Sequence, residues 1–258
     1  MKTTYPLSII LAAIGAVIQY SCSPVLYSTN GQNVPLFHQK GEATLGIGRG
    51  SGSLGYDVPY FYDDETGHGL NLQTALAVDT SVAIIASLYS LKGSKDWDVN
   101  GHYLEIGGGL FKYNDKSKFV GELFAGIGFG NIVNAGEAGE YLKVKYIKYF
   151  LQPSGGFTTK SFDIAFTPRI GLVNYTTKPD SDYEELNDFL TEKKSTFVFE
   201  PGLTVRLGYK NVKFQYQVNY TTFKYEFRTN ESEDVNPVID TYQSIGVFFM
   251  ISNFWKDQ

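Results

Sequence analysis

The chain has one cysteine, Cys22, in 258 residues, so no intrachain disulfide can form. Charge is scarce as well: 19% of residues are Asp, Glu, Lys or Arg, against roughly 25% in an ordinary soluble domain. The net charge is −5 and no basic stripe exists, which removes the case for a nucleic-acid partner. A membrane-spanning helix is missing too. The apolar run Pro6–Ile18 is too short for one and no stop-transfer pattern follows it. Aromatics and glycine are plentiful instead, with 19 Tyr, 19 Phe and 27 Gly. Few charges with many aromatics and glycines is the balance of a membrane β-barrel, whose aromatic girdles mark both interfaces.

Lys2 followed by Pro6–Ile18 reads as an export signal over residues 1–21. The run ends Gln19-Tyr20-Ser21-Cys22, which places the lone cysteine where a lipoprotein carries its acyl chains. Ser21 is small, as that site requires, although Gln19 stands where a branched aliphatic is usual. Lipidation of Cys22 is therefore expected; the alternative is an ordinary cleavage nearby. Residues 22–40 have no period of 2 or 3.6 and are rich in turn formers, so they are expected to form a periplasmic lead or a plug for a barrel mouth.

From residue 41 the chain alternates. In the arm after Tyr209-Lys210-Asn211, Val212, Phe214, Tyr216, Val218 and Tyr220 fall on one face, and Lys213, Gln215, Gln217, Asn219 and Thr221 on the other. About ten residues is what a tilted strand needs to cross a bilayer. Similar arms follow one another to about residue 252. Tight turns are expected at 79–81, 114–117, 158–160 and 209–211, alternating with five longer loops, one with a short helix over Tyr183–Leu190. The expected fold is all-β: an antiparallel up-and-down transmembrane barrel of about ten strands over residues 41–258, eight being the alternative. An even count returns both termini to the periplasm. Pro153, Pro168 and Pro201 fall within proposed strands, where bulges or shifted strand ends are expected.

The polar set is mostly Gly, Thr, Ser, Asn and Gln, poor in the Lys and Glu of a water-facing surface. The charges it carries nearly balance: Glu42, Glu105, Glu122, Asp163 and Glu200 against Lys148, Arg169, Arg206 and Lys213. Buried charges persist when paired, so these nine are expected to form a lumen salt-bridge network, with the apolar set facing lipid. Lysines cluster near the tight turns and acids in the long loops, and loops of that sign beside lipopolysaccharide would depend on divalent cations. The last strand, Ser244-Ile245-Gly246-Val247-Phe248-Phe249-Met250-Ile251, resembles the terminal signal of outer-membrane barrels.

Asn33-Val34-Pro35-Leu36-Phe37, then Lys40-Gly41-Glu42 leading into a Gly-rich first strand, resembles small outer-membrane β-barrel proteins of Bacteroidota. The resemblance implies a location and a fold and brings no catalytic residues. Gly50-Ser51-Gly52-Ser53-Leu54-Gly55 fits G-x-G-x-x-G without the helix a dinucleotide site needs, and reads as a surface loop. His68 and His102, near acidic loops carrying Asp63, Asp64, Asp96 and Asp98, are candidates for a rim hydrolase. Asp63-Asp64-Glu65 and the acidic 180–192 run lack EF-hand spacing.

The expected function is a non-enzymatic structural or partner-binding outer-membrane subunit with a largely closed lumen, needing no cofactor. Its expected partners are outer-membrane lipid and lipopolysaccharide, and a protein met through residues 23–40 or the long loops. The alternatives are a narrow channel for ions or small solutes, a soluble periplasmic β-sandwich lipoprotein, and a rim-sited hydrolase.

Overall fold

The computed structural model describes residues 25–54, 66–93, 97–136, 141–177, 190–191, 194–209, 211–222, 227–228, 234–235 and 238–251. Ten long strands make up the wall. They are β2 (Ala43–Leu54), β3 (Thr66–Ala77), β4 (Val82–Gly93), β5 (Trp97–Asn114), β6 (Phe119–Gly136), β7 (Tyr141–Thr158), β8 (Phe162–Tyr175), β9 (Ser195–Tyr209), β10 (Val212–Tyr220) and β13 (Val238–Ile251). Each pairs antiparallel with its sequence neighbour, and β13 returns to β2, from Ile239 opposite Leu54 down to Ile251 opposite Ala43. The sheet is one closed barrel, in which each described wall strand is paired on both sides. A two-sheet sandwich is thereby ruled out. The described residues add three two-residue strands: β1 (Tyr27–Ser28), parallel to the start of β13, and the small pair β11 (Phe227–Arg228) and β12 (Asp234–Val235).

The tight connections fall at 78–81, 115–118, 159–161 and between Tyr209 and Val212, all at one end of the barrel, hereafter the turn end. At the other end, the loop end, β5, β6 and β7 run to 18 residues each, well past the roughly ten that cross a bilayer. Alternation with an apolar outer face marks only Tyr103–Tyr113, Phe119–Phe129 and Lys145–Phe157 in the sequence, short of the loop-end limits of these strands. The reason is a reversal of sidedness. Through the middle of the barrel the outward set is apolar: Leu70, Leu88, Leu104, Phe129, Tyr149 and Leu172 are exposed. A contiguous apolar belt of this kind is not left open to water. Toward the loop end β7 instead points Lys143 and Lys145 outward and buries Leu142, Val144 and Tyr146. Beyond a bilayer the outside must be wet, so the apolar side chains move inward.

The three strand prolines lie side by side. Pro168 is opposite Pro201 in the β8–β9 ladder. Between β7 and β8 the ladder breaks after Leu151–Ile170 and resumes at Gly155–Phe166, with Pro153 and Pro168 in the gap. The register is unchanged across it, so neither a bulge nor a shifted strand end is needed. Residues that cannot donate are set against one another, and the loss is confined to one short gap. The one register shift of the β13–β2 seam lies elsewhere, between Ile239 and Thr241.

The segment before β2 does not lie outside the barrel. Residues 25–37 are buried throughout, and form a strap running down the lumen from the loop end to the turn end. There the chain reverses at Gly41 (φ +82°) and enters β2. Ala43 and Ile251 pair at the turn end, as an even strand count requires, but the strap takes the chain back across. Val25 and Ile251, the first and last described residues, lie at opposite ends. A Cβ on Gly41 would meet nothing within 4 Å, so Gly41→Val probes the backbone alone. It is expected to cost about 1–2 kcal/mol for the left-handed conformation. Gly41→Asn should cost clearly less, both read as unfolding midpoints in urea.

Candidate functional site

A strap inside a barrel has no neighbouring strand for most of its length, so wall side chains must satisfy its backbone. Five inner side chains do so, at four strap carbonyls. Asn219 donates to the Asn30 carbonyl (2.8 Å), and Gln217 (2.7 Å) and Gln73 (3.1 Å) donate to that of Gln32. Gln152 donates to the Asn33 carbonyl (2.7 Å), and Arg206 Nη2 to that of Val34 (2.6 Å). In return the strap's amides reach the wall: Gln32 donates to the Glu200 carbonyl (2.7 Å), and Asn33 to those of Thr74 (2.8 Å) and Ala86 (3.0 Å). This accounts for an inner face rich in Asn and Gln. An amide can both donate and accept without burying a net charge.

The nine charges expected in the lumen are all buried, and they fall into three groups. The upper group joins Glu105, Lys148, Arg169 and Glu200. Arg169 stands directly opposite Glu200 across β8 and β9, with Nε 2.7 Å from its Oε2. Arg169 Nη1 spans both Glu105 oxygens at 3.0 and 3.1 Å. Lys148 Nζ lies 2.6 Å from Glu200 and 3.7 Å from Glu105. The strap completes the group: Tyr27 donates to Glu200 (2.5 Å) and accepts from Lys148 (2.8 Å), while Asn30 accepts from Arg169 Nη2 (2.9 Å). Two carboxylates and two cations cancel, and planar guanidinium forks are suited to such pairing.

The lower group joins Asp163, Arg206 and Lys213; Glu122, expected in the same network, is tied to this end of the strap but makes no ion pair among the described residues. Lys213 lies 2.6 Å from Asp163, and Arg206, opposite Asp163 in the ladder, is 3.9 Å away. The Arg206 guanidinium stacks 3.6 Å from the Phe248 ring centroid. Glu122 accepts from the Phe37 N–H at 3.3 Å. The third group is Glu42 alone, which caps the reversal by accepting the N–H groups of His38 (2.6 Å) and Gln39 (3.3 Å). At the surface of that end Lys40 lies 3.5 Å from Asp79. The Thr80 N–H and then Lys40 hold the Asp79 carboxyl below the usual range. This pair is exposed and adds little stability.

Above the upper group the lumen is apolar and aromatic. Tyr27, Tyr103 and Tyr175 pack around Tyr146 with centroids 5.4, 5.8 and 6.2 Å apart. Wall glycines make the room: a Cβ on Gly130 would lie 2.1 Å from the Tyr146 ring, and one on Gly128 2.3 Å from the Tyr103 hydroxyl. Val25, Leu26, Val99, Leu142 and Val198 join this cluster, as does Leu190, the one described residue of the expected helix. Replacing Tyr27 by Phe removes the hydroxyl that bridges Lys148 and Glu200. It is expected to cost about 1–3 kcal/mol, as for a buried group left without its partner, measured by urea titration of the folded band on gels.

His68 and His102 project outward from β3 and β5 and are exposed, not turned to the lumen. Asp98 accepts from Asn100 at 2.9 Å. The other carboxylates considered with the histidines, at 63, 64 and 96, lie outside the described residues, as do Cys22 and most of the acidic 180–192 run. Gly50–Leu54 of the Gly-rich motif belong to β2, and are strand, not loop. What was not read from the sequence is the strap's set of partners. Gln73, Gln152, Gln217 and Asn219 carry no charge, and only their recurrence at inward positions signals them.

No protein-family model matches the chain, and no curated protein matches it. Among solved structures it is similar to the translocator domain of the autotransporter NalP from Neisseria meningitidis, at 10% identity over 94% of each chain, TM-score 0.44. It is similar to the β domain of the Bordetella autotransporter BrkA, at 10% identity over 81% of this chain and 98% of that one, TM-score 0.42. Ail, the attachment invasion locus protein of Yersinia pestis, is similar at 12% identity over 82% of this chain and 99% of that one, TM-score 0.36. By its own strand order, closure and outward apolar belt, the chain is a ten-stranded β-barrel of the outer-membrane type.

Proposed function

We propose that this chain is a non-enzymatic subunit of the bacterial outer membrane, structural or partner-binding, with long loops outside, tight turns in the periplasm and a lumen it closes itself. The occupied lumen carries this reading: Tyr27, Lys148, Arg169 and Arg206 are fully buried there, and the strap's carbonyls are taken by the wall. A diffusion channel needs a continuous wet path. Purified full-length protein in planar bilayers is expected to give no steady conductance, and its liposomes no swelling. Sustained open currents from the intact chain would replace this reading with the narrow channel. The resemblance to small Bacteroidota barrel proteins supports the same location. Lipid and lipopolysaccharide surround the belt in this reading, and a protein partner meets the loops. Mild-detergent affinity purification from the native membrane tests the partner, and loss of palmitate labelling in Cys22→Ser tests the acyl anchor.

A further inference from the structure

We infer that the lumen is the passage through which this chain carries its own N-terminal end to the loop side of the membrane, opposite the end of β13. The inference rests on the barrel lying in a membrane, as proposed above. It follows from the strap's direction, which is fixed at several heights. At the loop end, Val25 donates to Asn134 Oδ1 (2.8 Å) and accepts from its Nδ2 (3.1 Å). Asn134 lies two residues before the end of β6. Tyr27 and Ser28 run parallel to Val238 and Ile239, the first residues of the descending β13. Midway, Asn30 and Gln32 meet Asn219 and Gln217. At the turn end, Phe37 packs on Phe111 at 5.5 Å and His38 edge-on against Tyr113 at 4.5 Å, both near the 115–118 turn.

The length suffices for one crossing. The twelve steps from Val25 to Phe37 reach at most about 40 Å, against a hydrocarbon core of about 30 Å. Both ends are gripped by apolar packing, Val25 and Leu26 in the loop-end cluster and Phe37 in a second cluster with Ala77, Ala83 and Phe124. Between these grips the strap is hydrogen-bonded, so its orientation is built in and does not depend on a partner. The chain upstream of Val25 therefore continues from the loop end. Cys22 precedes Val25 by three residues, at most about 10 Å of chain, so a lipid on it would be tethered at the loop-side leaflet and not at the periplasmic one.

The experiment places one short epitope tag at a time in the full chain, between Ser23 and Pro24, within 178–189, or after Gln258, and probes intact and permeabilised cells. The first two are expected to bind antibody equally in both, the third only after permeabilisation. An N-terminal tag that behaves like the C-terminal one overturns the inference while leaving the barrel reading intact. A loop tag that behaves like the C-terminal one overturns the barrel's orientation instead. Insertions that fail to fold are bypassed by cysteine pairs in a Cys22→Ala background. Oxidation should cross-link Val25→Cys with Asn134→Cys, and not Val25→Cys with Glu122→Cys; the opposite pattern would show reversed threading.

Discussion

Replacing Arg169 by methionine is expected to lower the stability of the folded barrel by roughly 3–5 kcal/mol, the loss that follows when one partner of a buried ion pair is removed. The guanidinium makes three bonds to Glu105 and Glu200 and a fourth to Asn30. Without it two carboxylates share a water-poor lumen with Lys148 alone. Most of the cost is the unpaired charge, not the lost bonds, so a second change should rescue the first. Arg169→Met with Glu105→Gln leaves Lys148 against Glu200 at 2.6 Å, and should recover most of the stability. The non-additivity of the double mutant reports the coupling. Urea midpoints from heat-modifiable gel migration in lipid would measure it. A loss below about 1 kcal/mol, the level of exposed pairs, would mean that the group is hydrated.

The second large effect is expected at Gly31, where the wall leaves no room for a strap side chain. A Cβ there would lie 2.0 Å from Asn71 Nδ2, 2.9 Å from Gln73 Nε2 and 3.0 Å from Gln217 Oε1. Side-chain ends can usually swing aside. Here Gln73 and Gln217 are held by their bonds to the Gln32 carbonyl, so making room breaks the contacts that fix the strap. Gly31→Leu should destabilise by about 1–3 kcal/mol, the range for overpacking. The Leu variant should also show intermittent conductance where the intact protein shows none, with Gly31→Ala between them. A destabilised variant that stays silent in bilayers would separate strap packing from lumen closure. Because the wall charges nearly cancel, the open state should discriminate little between cations and anions.

How much of this could be read in advance depended on what each residue's pattern reports. Alternation along Val212–Tyr220 reports sidedness, and that was enough for the strand count, the tight turns and the inward placement of Lys213 and Arg206. It fails where the solvent changes. Leu142, Val144 and Tyr146 point inward and Lys143 and Lys145 outward, so the apolar outer face stops before the strand does. Pairing was not legible either. Arg169 meets Glu200, and Asp163 meets Arg206, across β8 and β9, strands joined by a long connection that fixes no register. For the strap, a lead and a plug stood as alternatives, and its route through the lumen was not legible for a plainer reason. Residues 25–37 have no period, because their environment is made by amides from many strands in turn.

The reversal at Gly41 has a consequence for the order of assembly. The strap and β2 are consecutive along the chain, and β2 is one side of the seam that closes the barrel against β13. A strap held by bonds along its whole length, with its lower end tied to the wall, is badly placed to enter a finished cylinder. The sheet must instead curl around it, with the β2–β13 seam sealed last by strands about 200 residues apart in sequence. Such distant pairing is intrinsically slow. A separate peptide of residues 25–42 should therefore fail to enter a prefolded barrel that lacks them, yet be captured when both are folded together.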